Sequence, residues 1–97
     1  MEKYLTMTKP FDAAEYLDSA EAIGFYLEEA FASDDPTFIT HALGVVARAK
    51  GMTEIAKKTG LTRESLYKAL SAEGNPEFAT VLKVLAALDL KFGVRAA

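Results

Sequence analysis

No cysteine occurs among the 97 residues, which removes disulfides and thiolate metal ligation, and a lone histidine, His41, cannot assemble a zinc site by itself. No metal or other cofactor is expected. The opening MEKYLTMTKPFDAAEY holds no continuous apolar stretch of signal-peptide length, and no later segment approaches the roughly 20 apolar residues that cross a bilayer. The chain therefore reads as neither secreted nor membrane-embedded, and the cytoplasm is its expected compartment. A catalytic constellation is also missing: His41 stands on the polar side of a helical pattern with no matching nucleophile. Glu28 and Glu29 are sequence neighbours on a helix and do not face each other, so they make no acid-base pair. An enzyme is not expected. Internal repeats and low-complexity segments are absent as well.

What is present is enough apolar material for one core, 51% of the residues, in a chain too short for two. The net charge of -3 at first argues against a nucleic-acid partner, because phosphate neutralisation supplies much of the affinity in such complexes. Its distribution reverses that impression. Residues 1–35 carry nine acids against Lys3 and Lys9, a balance of -7, whereas residues 36–97 carry nine cations against five acids, a balance of +4. A local cationic field can attract DNA even when the whole molecule is acidic. The acids Glu21, Glu28 and Glu29 have two readings: ordinary solvated surface, or a face that meets a basic protein.

Helical periodicity dominates the chain. Asp12 caps a short helix through Tyr16 or Leu17, a break falls near Asp18 and Ser19, and a second helix runs to about Phe31 with Ile23, Tyr26, Leu27, Ala30 and Phe31 as its apolar stripe. Asp34, Asp35 and Pro36 start the next helix, which Gly51 stops. Its expected buried stripe is Phe38, Ile39, Ala42, Leu43, Val46 and Ala47, with Thr40, His41, Gly44 and Arg48 toward the other side. Later, Pro76 opens a helix with Asn75 as its cap and Phe78, Val81, Leu82, Leu85, Ala86 and Leu88 as its apolar face. From Leu90 to Arg95 the period changes to alternation. That tail is either a strand that pairs with a second copy, an argument for a homodimer, or a frayed extension of the last helix. The fold class is thus all-α, with five to six helices and a short C-terminal strand as one option. Residues 1–35 form an acidic helical extension packed on the core, and residues 36–97 the remaining domain.

The most informative stretch is TEIAKKTGLTRESLYKAL, Thr53 to Leu70. Ile55 and Ala56 fall on the inward face of one short helix, Gly60 occupies a turn that needs a left-handed residue, and Leu61 returns the chain to the core. Thr62 caps a second helix whose Leu66, Ala69 and Leu70 point back at the first. Arg63, Glu64, Tyr67 and Lys68 are left outside, on a helix about the width of the B-DNA major groove. This is the arrangement of a helix-turn-helix. Arg63 reads guanine, contacts a phosphate, or is a solvated arginine beside Glu64. Tyr67 packs on a thymine methyl or bonds a phosphate, or else shields the junction of the two helices. Lys57 and Lys58 point about 100° apart, so one of them faces a duplex and the other is surface charge.

The order of motifs resembles the addiction module antidote proteins, HigA-like antitoxins with an XRE-type, lambda-repressor-like helix-turn-helix. The likeness covers FDAAEYL at Phe11 to Leu17, EAIGFYLEEAF at Glu21 to Phe31, ARAKGMTEIAKKTGLTRESLYKALS at Ala47 to Ser71 and GNPEFATVLKVLAALDLKF at Gly74 to Phe92. It implies an antitoxin that binds a co-encoded toxin of RelE/ParE-like fold and represses their shared promoter as a homodimer on operator DNA. It places the DNA-reading positions on Thr62, Arg63, Glu64, Tyr67 and Lys68, with phosphate contacts near Thr53, Lys57 and Asn75. Threonine at 53 departs from the glutamine often found there, which removes a bidentate amide contact. Two competitors share these residues: a stand-alone XRE-type regulator with no toxin, and an interaction module that has lost DNA binding.

Overall fold

The computed structural model describes residues 16–97, and within them five helices follow one another: α1 (Ala20–Ala32), α2 (Pro36–Lys50), α3 (Met52–Thr59), α4 (Arg63–Ala69) and α5 (Phe78–Ala87). Among the described residues there is no strand, so the architecture is all-α. The short helix expected from Asp12 lies outside the described residues. None of these helices is long and apolar enough to cross a membrane.

Three of the described helices, α1, α2 and α4, begin at a side chain that accepts from their unpaired N–H groups. Ser19 accepts from the Ala22 amide at 3.1 Å, and the Asp35 carboxylate accepts from Thr37 at 3.0 Å and Phe38 at 3.5 Å, ahead of Pro36 in the first turn of α2. Gly51 ends α2, as its position in the sequence predicts. Gly60 adopts φ 77°, ψ 12° after α3, the left-handed conformation that glycine takes without steric cost.

α2 packs against α1 and α3, and α3 also meets α4 and α5. The buried arc of α2 differs from the expected stripe. Thr40 and Gly44 are buried with Ala42, Leu43, Val46 and Ala47, whereas Phe38 is 43% exposed. At about 100° per residue, helix positions 42 to 44 subtend an arc of roughly 200°, and Phe38 falls outside it. A helix enclosed by neighbours on several sides buries more of its circumference than a single amphipathic stripe, and Gly44 lies inward for a steric reason. A Cβ there would stand 2.8 Å from the Leu70 carbonyl oxygen, so its absence lets the end of α4 seat on α2.

The last helix is corrected in two respects. It begins at Phe78 with Glu77 as the flanking residue and no side-chain cap, so Asn75 is not its cap. The intervening 74–77 stretch is needed to carry the chain off the end of α4, where Gly74 is pressed against the carbonyl oxygens of Lys68 and Ala69. Its buried face consists of Val84, Leu85, Ala87 and Leu88, with Val81 partly covered, while Phe78 is 62% and Leu82 39% exposed and Ala86 is exposed too. α5 is apolar around most of its girth, and periodicity alone cannot select which part turns inward.

Residues 90–97 form neither the expected strand nor a helical extension. A single chain offers this segment no sheet edge, and it packs by its side chains instead. Leu90 reaches α1 beside Gly24, and Phe92 meets Phe31 of α1 at 5.5 Å and Phe78 of α5 at 5.9 Å between ring centroids. Between α1 and α2, burial pushes the Tyr26 phenol above its ordinary value of 10.0, and the Arg48 guanidinium partly counters that rise.

Gly74→Ala forces a methyl group into backbone oxygens that have no rotamer to escape by. It is expected to lower unfolding free energy by about 1–3 kcal/mol in urea titrations. Gly93→Ala, where a Cβ meets nothing, is the control and is expected to stay within about 0.5 kcal/mol of the parent.

Candidate nucleic-acid interface

The short helix α4 is held at both ends and from beneath. The Thr62 hydroxyl accepts from the Ser65 amide at 3.0 Å, with the Thr62 backbone extended as a cap requires. Ser65 returns the contact, its hydroxyl donating to the Thr62 carbonyl oxygen at 3.1 Å. Underneath, Leu66 is wholly buried and Leu70 nearly so, against the core that also holds Ile55 and Met52 of α3. The turn from α3 is tied by Thr59, whose hydroxyl donates to the Ile55 carbonyl oxygen at 2.7 Å and accepts from the Leu61 amide at 3.3 Å.

This anchoring leaves Arg63, Glu64, Tyr67 and Lys68 exposed. Among them one pair is brought together: the Arg63 guanidinium carbon stands 5.7 Å from the centroid of the Tyr67 ring. Arg63 forms no salt bridge with Glu64 among the described residues. Tyr67 is 44% exposed, so its side chain is partly covered and partly open to solvent. Thr62 takes its place through its backbone-capping contact, so its first role is to fix where α4 begins.

On α3, Thr53 and Lys57 are exposed, and the two adjacent lysines differ in that one of them is ion-paired. Lys58 Nζ lies 3.4 Å from Glu54 Oε2 one turn earlier, so its charge is already partnered, whereas Lys57 has no salt bridge among the described residues. Asn75 is exposed in the connection after α4, next in sequence to the glycine that abuts Lys68 and Ala69. The expected positions therefore fall on three consecutive pieces of the chain, α3, α4 and the loop after it. Ser65 was not foreseen as a capping partner, although a hydroxyl three residues after Thr62 is a signal for one. Nor was Phe25, 68% exposed on α1, although it lies opposite the buried Ile23 and Leu27 on a helical wheel.

The arrangement is that of a small all-helical protein in which two short helices, joined at a left-handed glycine, present a polar surface from an apolar seat. A family model described as "Probable addiction module antidote protein" matches residues 7–96, and the chain belongs to that family. A protein of Haemophilus influenzae, described as uncharacterized, is 53% identical over 87 residues, covering 90% of this chain and 90% of that one. No solved structure matches the chain. Antidotes are the antitoxins of toxin-antitoxin modules, so family membership carries an antitoxin role and, in general terms, a toxin as partner.

Thr62→Ala removes the cap and is expected to cost about 1 kcal/mol of stability, while Thr62→Ser retains most of it. Thermal and urea unfolding of the three proteins measure this; equal stability of Thr62→Ala and the parent would show that the cap contributes nothing.

Proposed function

We propose that this antitoxin binds operator DNA through α3 and α4, used as a helix-turn-helix, represses its own operon as a homodimer in the cytoplasm, and neutralises a co-encoded toxin of RelE/ParE-like fold. No catalytic step belongs to this reading. The observation that carries it is the seating of α4: its underside is fixed by Leu66 and Leu70 while Arg63, Glu64, Tyr67 and Lys68 remain in solvent. A helix so held enters the major groove with little reorganisation, and two copies would meet half-sites roughly 34 Å apart. Lys57, Thr53 and Asn75 serve as phosphate contacts, supported by their exposure on the flanking elements. The positive balance of residues 36–97 supplies the attraction.

The toxin is assigned to the other charged region. On α1, Glu21, Glu28 and Glu29 are exposed around Phe25, so an apolar ring stands within a carboxylate border. A toxin that handles RNA needs a cationic surface, and such a surface complements this one. The division of the fold into an acidic 1–35 extension and a 36–97 DNA-binding unit follows this division of labour. Self-association is assigned to the C-terminal tail, where Phe92 and Phe78 leave apolar rings partly exposed beside backbone groups with no ladder partner.

Affinity for a fragment of the protein's own promoter is expected to fall linearly on a log-log plot against salt, and Lys57→Ala to reduce the slope by about 1. Lys58→Ala is expected to change it less, because that charge is shared with Glu54. A salt-independent signal would remove DNA from the proposal. Binding of the adjacent gene product by calorimetry is expected to weaken when Glu21, Glu28 and Glu29 are replaced by glutamine, most strongly at low ionic strength. Unchanged affinity there would move the toxin site elsewhere.

A further inference from the structure

Two long side chains on an exposed helix ordinarily sample many rotamers, and ordering them on binding opposes affinity. Arg63 and Tyr67, one turn apart on α4, restrict one another before any ligand arrives, with the guanidinium over the ring at 5.7 Å. Glu64, next in sequence, does not divert Arg63, since the two form no salt bridge among the described residues. The guanidinium's planar set of N–H donors is therefore not taken up by a carboxylate among the described residues. The residue is also the first of α4, directly after the capping Thr62, so the backbone from which it projects is fixed.

We infer that Arg63 and Tyr67 form a single reading unit for a G·C pair with a thymine as its immediate neighbour. The inference rests on the proposed binding of α4 to DNA and deepens it. Guanine offers O6 and N7 to a guanidinium in bidentate fashion, and the thymine C5 methyl is the apolar group that a base presents in the major groove. Successive bases on one strand are about 3.4 Å apart, so two groups in contact with each other address the same or adjoining base pairs, not distant ones. Tyr67 thus has two tasks: its ring orients the guanidinium, and its exposed side covers the methyl. Lysine at 63 would supply charge without the planar fork, and phenylalanine at 67 would keep the ring.

The test selects bound duplexes from a library randomised at its centre, using the full-length chain and the variants R63A, R63K, Y67A and Y67F. Circular dichroism checks that each is folded. The parent is expected to enrich guanine beside thymine, and R63A and R63K to lose guanine discrimination of roughly 5- to 150-fold while retaining salt-dependent affinity. Replacing that thymine by deoxyuridine, which deletes the methyl alone, is expected to weaken the parent and Y67F but not Y67A. If R63A enriches the same guanine as the parent, or deoxyuridine weakens Y67A as much as the parent, the paired reading is overturned while DNA binding stands. An arginine that contacts only phosphate would give that first result. A parent protein with no salt-dependent affinity for any duplex overturns the DNA-binding proposal itself.

Discussion

A helix of seven residues is far below the length at which an isolated helix persists in water, so α4 exists only because the rest of the protein holds it. Burial of Leu66 and Leu70 is the interaction on which that depends. Fully burying one leucine contributes about 1.5–3 kcal/mol, more than the cap or any exposed charge pair on the surface. The remaining contacts refine its position: Thr62 and Ser65 set the start, Gly44 lets Leu70 settle onto α2, and Gly74 closes the chain against the final carbonyls. Polar residues on its outer side could vary widely without disturbing this seat, since none of them carries the packing. The packing that stabilises α4 and the face proposed to bind DNA thereby lie on opposite sides of two turns of helix.

The limits of the first four described helices were legible to within a residue or two because helix starts and stops are local chemistry. Serine at 19, aspartate at 35 with proline at 36, glycine at 51 and 60, and threonine at 62 each act on backbone groups within a few residues, and each was found where its neighbours require it. α5 is the exception. Asn75 and Pro76 make a plausible local start, but the course of the chain off α4 is set by a packing contact at Gly74, which no local pattern encodes. The same distinction separates the right from the wrong core residues. The α1 stripe was correct because that helix has one neighbouring face and one solvent face. Thr40 and Gly44 were misplaced because α2 buries polar and small residues on account of what lies against them, as the Leu70 carbonyl oxygen lies against Gly44. On α5 the pattern was too uniformly apolar to have a direction.

For the candidate interface, the polar face of α4 was readable from spacing, whereas the relations within it were not. Sequence could say that Lys57 and Lys58 diverge; the ion pair with Glu54 decides which one is already engaged. It could place Arg63 and Tyr67 one turn apart but not state that their side chains meet. The family match adds an antitoxin role that neither composition nor geometry contains. Composition nevertheless separates the two charged regions, and the fold keeps the acids of α1 on a different helix from the cations of α3 and α4.

Leu90 and Phe92 fasten the C-terminal segment to α1 and α5, whereas Leu66 is seated without help from either of those aromatic contacts. Trimming the chain from its C-terminus would therefore uncover more of Phe31 and Phe78 first, and it would remove the segment proposed for self-association, whereas Leu66 and Leu70, which seat α4, lie upstream of the cut.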